Sequence, residues 1–242
     1  MIGEVNKMTE VIEKITKNSE AQQNKPLSAV SEVTTDKINL GSWKDSWDAW
    51  VEKYIASGTN AKEFDLVLEK LGPDIYHFPL FTEAFCKEVI DVAEYMSDWS
   101  VKRHDFYPTT DVLLADIGLE PLYRKVLEEF CHPIARREWR LEGKRWTETI
   151  SDESFMARYR AEDQQFLSIH NDFADYTFTV GLNTDFEGGG TWFTRQQVLG
   201  NPKGGYCTLF PGITHPHGGR PTTKGKRYII VSFCRRRNLY VD

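Results

Sequence analysis

Apolar positions along the chain change their period once, and the change divides it into two parts. Between Ser42 and Phe130 large apolar side chains recur every three or four residues, as they do on helices with one buried face. Trp43, Trp47, Trp50, Val51 and Tyr54 predict a first helix, with Ser42 as its N-cap. Phe64, Val67, Leu68 and Leu71 predict a second over residues 62–71, stopped by Gly72-Pro73. A third is expected over 82–98, burying Phe85, Val89, Val92, Ala93 and Met96. The fourth starts near Gly118, carries Leu122, Val126, Leu127 and Phe130, and should be interrupted at Pro133. After Thr149 the pattern becomes short β-branched and aromatic runs (155–160, 176–183, 190–195, 205–210 and 227–234) separated by Gly, Pro, Asn and Asp. Five such strands at this spacing suggest a sandwich or barrel, so the expected fold class is mainly β with bracing helices.

Residues 1–40 hold few large apolar groups among Lys, Glu, Asn, Ser and Thr, too little buriable surface to offset the entropy of ordering them. A disordered tail is expected there, followed by a helical segment over 41–73 that can serve as a docking surface. Composition adds that a core exists: 40% of the 242 residues are hydrophobic, with seven Trp and fourteen Phe. A formal net charge of −6 argues against the basic surface that binds nucleic acid. The N-terminus lacks the apolar stretch of a secretory signal, and no run approaches the roughly 20 apolar residues of a membrane span. No membrane partner and an intracellular, cytoplasmic location are therefore expected. Cys86, Cys131, Cys207 and Cys234 show neither disulfide-scaffold nor zinc-ribbon spacing and are read as buried thiols.

Candidate chemistry gathers in the strand-rich part. In His170-Asn171-Asp172 the first and third residues of an extended segment share a side, so both can face one ion. Thr214-His215-Pro216-His217 supplies a second imidazole ahead of the strand beginning near Arg227. Two His and one carboxylate with open positions suit non-haem Fe(II), and an Arg nearby offers a planar fork for the far carboxylate of a 2-oxo acid. A zinc hydrolase uses three protein ligands as well and stays open as an alternative, although it leaves Arg227 without a task and shows no evident base.

From about Asp74 to Phe233 the chain resembles the C-terminal catalytic domain of procollagen-lysine 5-dioxygenases, the collagen lysyl hydroxylases. The resemblance rests on Phe78-Pro79-Leu80-Phe81, Tyr107-Pro108-Thr109 with Asp111, Ile117-Gly118-Leu119-Glu120, Arg158-Tyr159-Arg160, His170-x-Asp172, Leu182-Asn183, Glu187 with Gly188-Gly189-Gly190, Thr214-His215-Pro216-His217 and Gly225-Lys226-Arg227-Tyr228-Ile229. It implies a double-stranded β-helix, or jelly roll, over 74–242, with Fe(II), 2-oxoglutarate and O2 as cofactor and co-substrates and ascorbate as an accessory. It also implies that His170, Asp172 and His217 bind the metal, that His215 is a neighbouring non-ligand and that Arg227 holds 2-oxoglutarate. Tyr159 and Asn183 are implied as further co-substrate contacts. The substrate implied is a lysine-containing peptide or protein; a free amino acid, prolyl residues or a catalytically idle interaction module remain alternatives. Asp175, Asp185 and Glu187 are candidates for an acidic mouth that receives an ammonium group. Oligomeric state stays open, a homodimer included.

Overall fold

The computed structural model describes all residues except 1–39, 60–63, 102, 104–106, 142–148, 201–202 and 237–242. The expected N-terminal tail therefore lies outside the described residues, save Leu40, which is already buried in the core. A 3-10 turn at Leu40–Lys44 precedes helix α1 (Trp47–Tyr54), whose N-cap is Ser46, not Ser42. Ser46 accepts a bond from the Ala49 amide, while the Ser42 carbonyl is used inside the 3-10 turn. The second predicted helix is shorter than its apolar spacing suggested: α2 covers only Phe64–Val67, and Glu69–Gly72 is strand β1. Strand pairing decides this, because β1 turns through Pro73-Asp74 into β2 (Ile75–Pro79) as a hairpin. The segment 41–73 is accordingly part of the domain. Trp50, Tyr54 and Phe64 sit in its core, so these apolar side chains are spent internally, while Leu66 of α2 stays exposed.

Helix α3 (Glu83–Met96) follows the expectation closely. Pro133 does not break the next helix where expected. After α4 (Glu120–Val126), a π-helical turn at Leu127–Cys131 widens the ladder, and α5 (His132–Glu138) restarts with Pro133 in its first turn, where the missing N–H costs nothing.

The remaining strands are β3 (Asp111–Leu113), β4 (Thr149–Arg160), β5 (Leu167–His170), β6 (Tyr176–Gly181), β7 (Phe186–Gly188), β8 (Thr191–Phe193), β9 (Val198–Gly200), β10 (Tyr206–Phe210), β11 (His217–Gly219) and β12 (Thr222–Arg236). They form a major sheet ordered β1-β2-β10-β6-β12-β4-β3, with β7 paired to β12, and a minor sheet ordered β5-β11-β8-β9. Every pairing is antiparallel. This is a jelly roll whose major sheet carries the helices on its outer face.

The period-two alternation of the central strands assigns each face its work. Met156, Tyr176, Phe178, Val180, Cys207, Leu209, Tyr228, Ile230 and Cys234 point outward into one large cluster with the helices. Phe155, Ala157, Tyr159, Ile229 and Val231 point inward as a second, thinner apolar layer. All four cysteines are buried free thiols, as expected. No described helix is long and apolar enough to cross a membrane.

Candidate active site

The register of the minor sheet brings the two imidazoles together. His217 on β11 is the direct cross-strand partner of His170 on β5, and side chains at such positions share one face. Their rings lie 4.5 Å apart between centroids. Asp172, two residues past the end of β5, reaches into the same space, with Oδ1 3.2 Å from His170 Nε2 and Oδ2 3.6 Å from His217 Nε2. Those separations are close to the roughly 3 Å edge expected of a coordination polyhedron with bonds near 2.1 Å. Among the described residues these three side chains form the one group of potential metal ligands, with donor atoms within 4.8 Å of one another.

Each ligand is oriented from behind. His170 Nδ1 lies 2.8 Å from the Ser168 carbonyl and His217 Nδ1 lies 2.9 Å from the His215 carbonyl. A carbonyl can only accept, so both Nδ1 atoms carry the proton and both Nε2 lone pairs face the centre. Thr177, on the inner face of β6, donates to Asp172 Oδ2 at 2.6 Å and ties the ligand loop to the major sheet. His217 is packed against Phe193 and Phe210. Burial pulls the His217 pKa down. At half-buried His170 burial acts in the same direction, but the bonds to Asp172 and Ser168 outweigh it and the pKa rises. Burial also opposes ionisation of Asp172, yet His170, His217 and Thr177 together hold its carboxyl below the usual range. An anionic carboxylate between two imidazoles is a ready cation site.

His215 is a neighbour and not a member: its ring bonds to the Pro73 carbonyl and the Thr214 hydroxyl, and its own carbonyl orients His217.

A cavity of about 580 Å³ opens between the sheets and is lined by the triad together with Tyr159, Thr179 and Arg227. Arg227 is 1% exposed, paired in register with Tyr159 and set with its guanidinium 5.3 Å from that ring. Neither Nε nor Nη2 has a partner among the described residues, and Thr179 Oγ1 is likewise unpartnered. Burial depresses the Arg227 pKa and outweighs the opposing influence of Tyr159. A buried unpaired guanidinium costs several kcal/mol, so this one is built to meet an anion that enters the cavity. Room for it comes from Gly189: its φ of +69° suits glycine, and a Cβ there would lie 2.9 Å from Arg227 Cδ.

The structure thus gathers His170, Asp172, His217, Tyr159 and Arg227 and leaves Asn183 out. The Asn183 amide bonds to the Lys226 carbonyl and Asp185, and its oxygen accepts from the Tyr228 amide, so it pins the β6–β12 edge and does not line the cavity. The expected acidic mouth is also corrected. Glu187 pairs with Lys224, Asp185 with Asn183, and none of Asp175, Asp185 and Glu187 lines the cavity. Sequence reading missed Thr177 and Thr179; their signal was the alternation in β6, where every second residue faces the metal ligands.

No family model matches the chain. Over 224 residues it is 34% identical to the multifunctional procollagen lysine hydroxylase and glycosyltransferase LH3 of Rattus norvegicus and equally to that of Homo sapiens, an alignment covering 86% of this chain and 30% of each relative. It is 34% identical over 198 residues to human procollagen-lysine,2-oxoglutarate 5-dioxygenase 1, covering 76% of this chain and 27% of that protein. The chain therefore spans less than a third of these relatives. Among solved structures, a viral collagen prolyl hydroxylase from Paramecium bursaria Chlorella virus-1 superposes with a TM-score of 0.50 at 17% identity, over 69% of this chain and 98% of that one. A Pseudomonas putida prolyl-4-hydroxylase gives 0.52 at 10% identity, over 75% and 99%. At these identities the superpositions speak for a shared fold.

Proposed function

Because the chain belongs with the procollagen-lysine 5-dioxygenases, within the Fe(II)- and 2-oxoglutarate-dependent dioxygenases, we propose that it hydroxylates lysyl side chains of a peptide or protein at the 5-position named for those relatives. The observation that carries this reading is the buried, partnerless edge of Arg227 in the cavity that holds the triad. A zinc hydrolase leaves that guanidinium idle; a dicarboxylate co-substrate neutralises it with two charge-assisted bonds.

In this reading His170, Asp172 and His217 would hold Fe(II), the two Nε2 atoms and the carboxylate being the donors that face the centre, and the carbonyls of Ser168 and His215 keep the rings turned. Arg227 receives the far carboxylate of 2-oxoglutarate, and Tyr159, stacked near it, fixes the approach. Fe(II) held there would supply the oxidative chemistry of the family, in which O2 and 2-oxoglutarate are converted to succinate and CO2 and the substrate is hydroxylated. The chain contributes position and dryness. Phe155, Ile229, Val231 and Phe233 wall the cavity with apolar surface that keeps water from the reacting carbon.

Anaerobic addition of Fe(II) and 2-oxoglutarate should produce a weak visible charge-transfer band, and admission of air should yield succinate with lysyl peptides. Arg227→Lys should weaken 2-oxoglutarate binding by roughly ten- to a hundredfold, because a point charge replaces a fork. Neither band nor succinate from the wild-type protein would leave an idle module. Turnover with free lysine or prolyl peptides in place of lysyl peptides would reassign the substrate.

A further inference from the structure

One ion-pair cluster in the cavity wall is not explained by iron or 2-oxoglutarate binding. Arg103 lines the cavity, and its guanidinium bridges two carboxylates, Asp111 through Nε and Glu153 through Nη2. Thr109, also on the cavity wall, donates its hydroxyl to the second oxygen of Asp111. The guanidinium carbon stands 5.4 Å from the centre of the Phe155 ring, another lining side chain. Both carboxylates belong to the inner face of the major sheet: Asp111 pairs in register with Ala157, and Glu153 lies two residues before Phe155 on β4. Two carboxylates and an aromatic face surround one cation, and that is the environment an ammonium group requires.

Solvent exposure differs sharply across the cluster. The Asp111 side chain is fully buried, whereas those of Arg103 and Glu153 are 20% and 34% exposed. A buried carboxylate needs a cation at all times, since exposing it unpaired to a dry cavity costs several kcal/mol. Arg103 has a long stem and a partly solvated head, and can return to water at little cost. The cluster shares a cavity with the metal ligands: Arg103, Thr109 and Phe155 line the same space as His170, Asp172 and His217, and Tyr107, also on that wall, lies 4.8 Å from the His170 ring. The 5-carbon of a lysyl side chain is two bonds from its nitrogen, so an ammonium partner has to lie within the cavity that holds the triad.

We propose that Asp111, Glu153 and Phe155 form the subsite for the substrate's ammonium group, and that Arg103 occupies it as an internal substitute until a lysyl side chain displaces it. This rests on the lysyl reading above. It puts the acidic recognition element in the wall directly behind Arg103, which itself lines the cavity, and makes Asp111 the specificity-determining residue.

The test is equilibrium binding of a lysyl peptide, and of its norleucine counterpart, to protein loaded anaerobically with Fe(II) and 2-oxoglutarate, the charge-transfer band reporting that each variant is loaded. The wild-type protein should prefer the lysyl peptide. Asp111→Asn should remove that preference by raising the lysyl Kd roughly tenfold or more with the norleucine Kd little changed, and the more exposed Glu153→Gln should act in the same direction by a smaller factor. Arg103→Gln should tighten lysyl binding severalfold, since the internal competitor is gone. Retention of the preference in both carboxylate variants, or weaker lysyl binding in Arg103→Gln, overturns the subsite while leaving lysyl hydroxylation standing. A loaded wild-type protein that does not distinguish the two peptides overturns both, and one that forms no band at all places the failure earlier, in the iron and co-substrate reading.

Discussion

The two faces of the major sheet are made by the same strands and built on opposite terms. On the outer face Tyr228, Ile230 and Cys234 of β12 alternate with the inner-facing Arg227, Ile229, Val231 and Phe233, yet the outward residues join a helix-covered core that also takes in Trp50, Phe85 and Val126. Some polar groups on that side bond locally, Tyr228 donating to Glu94 and the Tyr176 hydroxyl meeting His132 Nδ1, while the indole N–H groups of Trp50 and Trp99 are unpartnered among the described residues and lie away from the cavity. On the inner face Arg227 and Thr179 retain unpartnered polar atoms. One face holds the fold together. The other keeps part of its bonding capacity for what enters the cavity, and that reserve is a cost to stability that binding refunds.

The comparison breaks if changes on the inner side unfold the protein or changes on the outer side alter its chemistry. The largest effect is expected at the inner site: His170→Ala should lower turnover by more than about a hundredfold, since even partners behind a metal ligand are worth ten- to a hundredfold. Its melting temperature should stay near that of the metal-free wild type, and His215→Ala should retain a measurable rate. Ile230→Ala, on the outer face and fully buried, should behave in the reverse manner. It should lose about 2–5 kcal/mol of stability in denaturant titrations with turnover per iron-loaded molecule unchanged.

The last expected effect is a pH dependence that His132 adds on the outer side. Burial pushes the pKa of His132 down to about 4, with Arg136 adding to the shift. The unfolded chain then takes up a proton near pH 6.5 that the folded chain refuses, so stability falls as pH drops from about 6.5 to about 4 and is constant above that window. The full loss attributable to this group is on the order of 3 kcal/mol. Melting curves of wild type and His132→Asn across this range should converge toward acid; parallel curves would assign the acid sensitivity elsewhere.

The sequence by itself determined the texture of the fold and the composition of the site. Alternation in 155–160 and 227–234, helical spacing in 82–98 and the His-x-Asp with its distant His were all legible, because side-chain direction in a strand or helix follows from local periodicity. Tertiary structure decided what local periodicity does not encode. Apolar residues at 68–71 fit a helix equally well, and only the partner strand β2 makes that stretch β1. Ser42 is the cap that spacing suggests, and the 3-10 turn that precedes the helix moves the cap to Ser46. Asn183 and Arg227 are both polar residues flanking apolar runs in the sequence, and it is the register of β12 against β4 and β6 that turns Arg227 toward the cavity and Asn183 toward a backbone edge. Arg103, Asp111 and Glu153 are up to 50 residues apart in sequence, and no spacing rule joins them. Their meeting depends on β3 pairing beside β4, a contact fixed by the packing of whole sheets.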